Sequence, residues 1–290
     1  MYAGRIYADF QNLDDEGRIR LDTAGSRRDL AATETELRAG AVVRLYTDDA
    51  DDEGNADPLL TEGIVESSER GLVARVDWAS IRHASRELEI LKKRFFDTAV
   101  GDMLRALDGG ALIGATTLGL CALDHLGYLR TGNGDPADFK LTVENYLTKL
   151  NPKYEAEWLW ATRNGLAHVH GAGKLVQQQK TRGALFVHFR PEHHLAEVEC
   201  ARVLNVESFI ADVIIVAWSV FNDFRTQSSK PIEVFRHILI VGQSDATADK
   251  PYSQMHPWLS QLDSALPNRE VLEADIRKGL KEREQRRKSA

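Results

Sequence analysis

Cysteine is scarce in this chain, which argues against the protein classes that depend on it. The 290 residues contain 2 cysteines, Cys121 and Cys200, and their spacing is not that of a zinc site. Both lie in stretches that we predict to be apolar and helical, so we expect buried free thiols in a reducing cytosol. The sequence therefore predicts neither a disulfide framework nor a cysteine-based metal centre.

Long apolar runs and a signal peptide are also missing. The two longest apolar runs, residues 111–123 and 209–221, are shorter than the ~20 residues that span a bilayer, and the second contains Asp212. Residues 1–5 lack the basic and then apolar order of a signal peptide. We predict a soluble, cytoplasmic protein without a membrane partner.

The N-terminal part of the chain contains fewer basic than acidic residues. Residues 1–85 contain 10 Lys/Arg and 18 Asp/Glu, a net charge of 10 − 18 = −8, and the whole chain carries −7. This balance argues against nucleic-acid binding through a broad basic face, but not against a local positive site in a cleft. Because 43% of the residues are hydrophobic, the chain can build a sizeable core, and two domains are expected.

The first 85 residues have the pattern of a β-structure. In residues 42–46, the side chains alternate as in a half-buried strand, and residues 68–71 have the composition of a hairpin turn. Short strands separated by turns predict a small closed barrel or roll, loosely similar to an SH3-type barrel. The predicted strands are residues 4–9, 18–22, 42–46, 59–65 and 72–78.

The rest of the chain is mainly helical by its apolar periodicity. The predicted helices are residues 87–105, 111–129, 138–150, 153–170, a helix capped by Asn205 or Ser208 that ends near residue 224, and 268–288. Residues 183–190 alternate as a short strand, residues 232–240 could be strand or helix, and residues 243–265 are a predicted loop. The predicted fold class is α+β: an acidic barrel-like domain over 1–85, a helical domain over 86–242, and a loop with a charged helix over 243–290.

A cation, an amide and an imidazole lie within six residues of the predicted helix 153–170. Asn164 and His168 are four residues apart and therefore share a helix face, and the long side chain of Arg163 can reach the same patch. Imidazole transfers protons near neutral pH. Guanidinium stabilises a phosphate whose charge grows in a transition state. These residue types favour RNA cleavage without a metal ion.

Arg163, the polar Asn164, three further residues and His168 resemble the signature of the HEPN superfamily of small helical domains. Many members are RNases in toxin, anti-phage and RNA-surveillance systems, and others keep the fold as scaffolds. The resemblance implies a HEPN-like bundle with a short β insertion over 86–242, in which Arg163 and His168 are the catalytic pair. It also implies a homodimer in which two motif helices face each other, with Gly165 allowing close approach. A HEPN subgroup has Tyr two residues after the His, where this chain has His170.

Further polar residues are candidates for the same site. Asp124 could form an ion pair that orients Arg163, or could simply lie at an exposed helix end. Four basic residues are accessory candidates that could line the cleft: His170, Arg182, His188 and Arg190. His188 with residues 192–194 could also be taken for a metal cluster, but the spacing matches no familiar zinc signature. We predict no metal and no cofactor.

Three hypotheses follow from these patterns. The first is a metal-independent endoribonuclease that acts on RNA as a toxin or anti-phage effector and is restrained by an antitoxin or sensor protein. The second is an inactive HEPN-like dimerisation or scaffold module whose β domain binds a protein partner. The third is a different helical enzyme or ligand-binding domain that uses the region 188–194.

Overall fold

The computed structural model describes residues 3–32, 37–131, 134–169, 182–226 and 268–289. The chain divides into two compact units, the first built mainly from Met1–Leu91 and the second mainly from Lys92–Asp223 and the C-terminal helix. Helices and strands are both well represented, so the predicted α+β class is confirmed. The predicted segments 232–240 and 243–265 lie outside the described residues.

The first unit contains a six-stranded sheet. Its order is β1-β3-β4-β5-β2, and β6 pairs with β4. β1 is parallel to β3, and the remaining pairs are antiparallel. The strands are β1 (Ala3–Tyr7), β2 (Ile19–Arg20), β3 (Val42–Thr47), β4 (Leu59–Ser68), β5 (Gly71–Val76) and β6 (Arg82–His83).

The predicted barrel or roll is confirmed in part, because the sheet curls into a half-barrel but does not close. In the described part of the chain, β1 and β2 end the sheet without pairing with each other. A helix that was not predicted, α1 (Ala24–Ala32), packs against β1 instead. Asp29 Oδ2 accepts the backbone N–H of Tyr7 at 2.8 Å, and the Ser26 hydroxyl donates to the Tyr7 carbonyl at 2.8 Å. These polar side chains satisfy a strand edge that would otherwise be open.

The predicted hairpin and the alternation along the strands are confirmed. Ser68 pairs with Gly71 across a two-residue turn, and Gly63 pairs with Val76 further along β4 and β5. Alternate residues of the strands point to one side and form the core of this unit, as expected for a sheet with one buried face. The core residues are Ile6, Ala8, Ile19, Leu21, Val43, Leu45, Val65 and Ala74.

Helices build most of the second unit. α2 (Ala84–Phe95), a π-helical turn (Phe96–Val100) and α3 (Gly101–Asp108) follow one another where a single helix was predicted. Of these residues, those before 92 belong to the first unit. The other helical elements are α4 (Leu112–Thr131), α5 (Pro136–Thr142), a π-helical turn (Val143–Leu147), α6 (Thr148–Leu150), α7 (Ala156–Val169), α8 (Val206–Thr226) and α9 (Arg269–Ser289).

Helix α8 is the centre of the second unit. Its residues from Phe209 to Ala217 are buried with few gaps, because the sequence is apolar on every side of the helix. Of the two predicted caps, Asn205 is the one observed: its Oδ1 accepts the backbone N–H of Ser208 at 3.0 Å. α4 approaches so closely that a Cβ on Gly119 would lie 2.8 Å from the ring of Phe209.

Helix α4 is longer than the apolar run that the sequence suggested. With 20 residues it meets the length and hydropathy of a membrane span, but half of its apolar window is buried by the rest of the protein. The core helices of soluble proteins share these properties, and Asp124 lies within this helix. The cytoplasmic location stays a prediction.

A small second sheet follows α7 in the chain. β7 (Gly183–Val187) is parallel to β9 (Ala201–Asn205), and β8 (Glu197–Val198) is antiparallel to β9. Of these, only β7 was predicted, and it ends three residues earlier than expected. Cys200 lies between β8 and β9 and is exposed, so the expectation of a buried, helical thiol is wrong for this residue.

Candidate active site

Helix α7 presents Arg163 and Asn164 at the border between its buried and open sides. Trp158, Leu159 and Leu166 are buried, and the Thr162 hydroxyl bonds back to the Trp158 carbonyl at 2.8 Å. Arg163 and Asn164 are half-buried, whereas Thr162 and Gly165 on either side of them are buried. The motif is therefore part of a rigid helix whose apolar side is packed into the unit.

The guanidinium of Arg163 is fixed by three contacts. Nη2 donates to Asp124 Oδ2 at 2.6 Å, and Nη1 donates to Asn164 Oδ1 at 3.1 Å. The group also lies over the Trp160 ring, 5.2 Å from its centroid. The ion pair suggested for Asp124 therefore forms, and the alternative of an unpaired exposed helix end does not hold. The side chains of Arg163 and Asp124 are 23% and 21% exposed, so the pair reaches the surface.

Close packing of two helices determines where Asp124 lies. A Cβ on Gly127 would be 2.8 Å from the carbonyl carbon and oxygen of Asp138, so α4 and α5 are nearly in backbone contact. α5 in turn contacts α7, and Phe139 packs against Trp160 with 5.3 Å between ring centroids. Asp124 and Arg163 thus sit on mutually packed helices, which limits how far the ion pair can move.

Two neighbours of Asp124 on α4, Cys121 and His125, are partly buried. Burial raises the pKa of the Cys121 thiol, against the lowering effect of Arg163, so this thiol stays protonated near neutral pH. Burial lowers the pKa of His125 to about 4, and its ring packs edge-on against Phe95. The Nε2 atom of His125 is buried without a hydrogen-bond partner. His125 is therefore a neutral core residue near neutral pH.

The structure describes the proposed catalytic histidine only in part. The backbone of His168 belongs to α7, one turn after Asn164, so the two residues share a helix face. The side chain of His168 lies outside the described part of the chain, as does all of His170. Gly165, between Asn164 and His168, is buried.

The three other accessory candidates have local partners of their own. Arg182 pairs with Glu197, and Arg190 lies 3.7 Å from Glu192. His188 Nδ1 is 2.9 Å from Glu207 Oε1. Among the described side chains, none of these three bonds to Arg163. The structure therefore joins Asp124 to the motif, whereas the other three belong to the region of the small sheet.

A buried polar cluster around Asp212 was not found by sequence reasoning. Asp212 in α8 is fully buried, and it accepts hydrogen bonds from the Tyr154 hydroxyl at 2.8 Å and from Arg269 Nη2 at 3.1 Å. Arg269 Nε donates a hydrogen bond to the other carboxylate oxygen of Asp212, Oδ1. His194 Nε2 lies 2.9 Å from the same hydroxyl and 3.7 Å from Asp212. A signal did exist: a lone carboxylate in an apolar helix requires a partner.

Helix α9 supplies the cation of this cluster. Burial acts to raise the pKa of Asp212, but the neighbouring His194 and Arg269 side chains outweigh it, so the carboxyl stays ionised. The buried Glu273, one turn after Arg269, bonds to Ser208 and pairs with Arg277 at 2.6 Å. The cluster connects α8 and α9; its carboxylates, Asp212 and Glu273, are enclosed, whereas Arg269 and Arg277 reach the surface.

The region 188–194 does not form a metal site in the structure. His188 contacts Glu207, whereas His194 faces Tyr154 and Asp212. Among the described residues, no group of three or more His, Cys, Asp or Glu side chains is placed to bind a metal ion.

Comparison of the chain with protein-family models, curated proteins and solved structures found no match.

Proposed function

We propose that the protein is a metal-independent endoribonuclease of the HEPN type that cleaves single-stranded or loop RNA. In this proposal Arg163 binds the phosphoryl oxygens, and His168 transfers a proton to or from the reacting oxygens. Attack of the ribose 2′-hydroxyl on phosphorus leaves a 2′,3′-cyclic phosphate and a 5′-hydroxyl. The proposal requires no cofactor.

The observation that supports this proposal is that the Arg163 guanidinium is held in place by its contacts and still reaches the surface. Guanidinium has five N–H donors: two bond to Asp124 and Asn164, the Nε–H is buried without a partner among the described residues, and one N–H remains on each of Nη1 and Nη2. Its contacts hold the group in one orientation, and 23% of the side chain is exposed. A phosphate can therefore bind an oriented cation without displacing Asp124. Such preorganised charge is what stabilises a phosphorane-like transition state.

The homodimer, the antitoxin or sensor partner, and the role in defence are part of the same proposal. They rest on the resemblance of Arg163, Asn164 and His168 to the HEPN signature. Gly165 is already buried within the single chain, so a second copy would have to face the exposed side of α7 rather than Gly165. In such a dimer the two copies of the motif would form a composite RNA site.

The proposal is tested by cleavage of single-stranded RNA in EDTA. We expect His168→Ala and Arg163→Ala each to reduce the rate by about 10²–10⁴-fold, the size of a lost proton-transfer or charge-stabilising group. Arg86→Ala is the matched control, because it removes an equal charge from a side chain that is 66% exposed. Circular dichroism must show that all variants stay folded. Equal cleavage by wild type and both motif variants would contradict the proposal.

The second candidate function is a scaffold of the same fold without catalysis. It is favoured by one observation: Asp124 already compensates the charge of Arg163. A wild-type protein that cleaves no RNA, forms a stable dimer and does not arrest growth when overexpressed would support this function instead.

A further inference from the structure

A second oriented imidazole lies at the end of the small sheet. His188 follows β7, and Glu207 is in the first turn of α8. Their Nδ1 and Oε1 atoms are 2.9 Å apart, and the backbone N–H of Phe189 donates to the same Oε1 at 3.0 Å. The side chain of Glu207 is fully buried, whereas that of His188 is 35% exposed. This arrangement links a solvent-facing ring to an enclosed carboxylate.

The surroundings hold the His188 ring in one orientation. Phe189 has a φ of +55°, which is unfavourable for a bulky residue and places its N–H on Glu207. The two rings of residues 188 and 189 stack with 3.9 Å between centroids. Because Nδ1 faces the carboxylate, Nε2 is the nitrogen left for other partners. It makes no hydrogen bond to the described residues.

The enclosed carboxylate of Glu207 has few partners. Glu207 Oε2 has no hydrogen-bond partner in the described part of the chain, so His188 and the Phe189 N–H are what compensates the acid. Burying a carboxylate is costly unless a cation or donors accompany it. A carboxylate on one imidazole nitrogen orients the ring, as in the triads of hydrolases. The ring of His188 therefore presents Nε2 outward, where it can transfer a proton to a ligand.

The proposed cleavage needs such a donor. A proton leaves the 2′-hydroxyl, and a proton must reach the departing 5′-oxygen. The motif Arg163–His168 contains one histidine, so a second residue has to carry out one of the two proton transfers. The small sheet packs on the helices of that site: β7 contacts α4, and Trp158 of α7 donates its indole N–H to the Gly183 carbonyl at 3.4 Å. His188 and the helix that carries His168 therefore belong to one compact unit.

We propose that His188 is the general acid of the RNA cleavage, with Glu207 as its positioning residue; this rests on the function proposed above. The 2′-oxygen forms a bond to phosphorus, and its proton passes to His168. The bond from phosphorus to the 5′-oxygen breaks, and that oxygen receives the Nε2 proton of His188. The products are the cyclic phosphate and the 5′-hydroxyl, and the two proton transfers balance.

The test compares two versions of one RNA in EDTA. The first is unmodified and serves to map the cleaved bond, and the second carries sulfur in place of the 5′-oxygen at that bond. A thiolate leaves without receiving a proton, so loss of a general acid slows only the first RNA. His188→Asn is the main variant, because an amide can still donate to Glu207 but lacks Nε2. His193→Ala is the control, a histidine of the next turn whose side chain is 57% exposed.

For His188→Asn we expect cleavage of the unmodified RNA to fall about 10²–10⁴-fold and cleavage of the sulfur-containing RNA to fall less than about tenfold. Glu207→Gln should also slow cleavage of the unmodified RNA more than cleavage of the sulfur-containing RNA, but by a smaller factor than His188→Asn. His193→Ala should cleave both RNAs like wild type. Equal losses on both RNAs, or no loss, would overturn the role of His188 and leave the proposed function intact. A wild-type protein that cleaves neither RNA would overturn the proposed function and this role with it.

Discussion

Two arginine–aspartate pairs in the second unit have the same chemistry but differ in the burial of the carboxylate. In Arg163–Asp124, both side chains keep about a fifth of their surface in solvent. In Arg269–Asp212, the carboxylate is fully buried and is also bonded by Tyr154, although the Arg269 side chain is 33% exposed. We call Arg269–Asp212 the buried pair, after its carboxylate, and Arg163–Asp124 the open pair. The buried pair connects α8 and α9, whereas both carboxylate and guanidinium of the open pair reach the surface.

The difference shows that burial of the carboxylate, rather than residue type, decides whether an ion pair mainly stabilises the fold or can also contact a ligand. An enclosed ion pair depends on every partner, because removal of one leaves a charge in a medium that cannot solvate it. A pair at the surface contributes little to stability, since water replaces a lost partner. The following substitutions test this contrast between the two pairs, and each result would either support it or contradict it.

The largest effect is expected for the buried pair. Arg269→Met leaves Asp212 ionised and enclosed, so we expect the free energy of unfolding to fall by about 3–5 kcal/mol. Urea unfolding followed by circular dichroism measures it. The double variant Arg269→Met, Asp212→Leu should lose less, because it removes both charges. A loss below about 1 kcal/mol in the single variant would mean that Tyr154 and His194 suffice to compensate Asp212.

The next effect concerns the helix that carries Asp124. Gly127→Ala places a Cβ within 2.8 Å of the Asp138 backbone, so α4 and α5 must separate. We expect a loss of about 1–3 kcal/mol, typical of overpacking. Gly17→Ala is a useful comparison in a chemical-denaturation series, because its Cβ would meet nothing within 4 Å and only its positive φ is unfavourable. Equal stability of wild type and Gly127→Ala would show that α4 is not tightly held.

A smaller, pH-dependent effect is expected from His125. Its pKa is lowered by burial from 6.5 to about 4, so the unfolded chain binds a proton that the folded protein excludes. The contribution of this neutral histidine is complete above pH 6.5 and is lost as the pH falls through 4. Between pH 7 and pH 5, wild type should lose about 1–2 kcal/mol more than His125→Leu. Parallel stability curves for the two proteins would refute the burial of a neutral ring.

The smallest effect on stability is expected for the open pair. Asp124→Asn removes a partly exposed ion pair and keeps the shape of the side chain, so we expect a loss below about 1 kcal/mol. Thermal unfolding of this variant beside Asp212→Asn gives the comparison directly, because the same substitution is made in both pairs. Losses of equal size would remove the distinction between the open and the buried pair.

Local patterns predicted those parts of the fold in which neighbours in sequence are neighbours in space. The β4–β5 hairpin followed from its turn residues and alternation, and the start of α8 followed from Asn205 as a cap. Helix α1 was missed because its sequence lacks a clear apolar stripe. Its inner contacts are polar, from Ser26 and Asp29 to a distant strand edge.

The candidate site shows the same limit. The sequence could predict Arg163, Asn164 and their link to Asp124, because the first two belong to a motif and Asp124 is a carboxylate in an apolar segment. The cluster at Asp212 was not, since its cation lies 57 residues further along the chain. The contact of His188 with Glu207 depends on the parallel pairing of β7 and β9, and β9 has no distinctive pattern of its own.

The most direct test of the RNase account is the chemistry of the RNA ends made in EDTA. Wild-type protein incubated with single-stranded RNA should yield 2′,3′-cyclic phosphate and 5′-hydroxyl ends. Arg163→Lys, which keeps the charge but loses the planar set of donors, should yield at least about tenfold less of both. Ends bearing 5′-phosphate, or cyclic ends formed equally well by the Arg163→Lys protein, would contradict the assignment of Arg163 as the phosphate-binding residue.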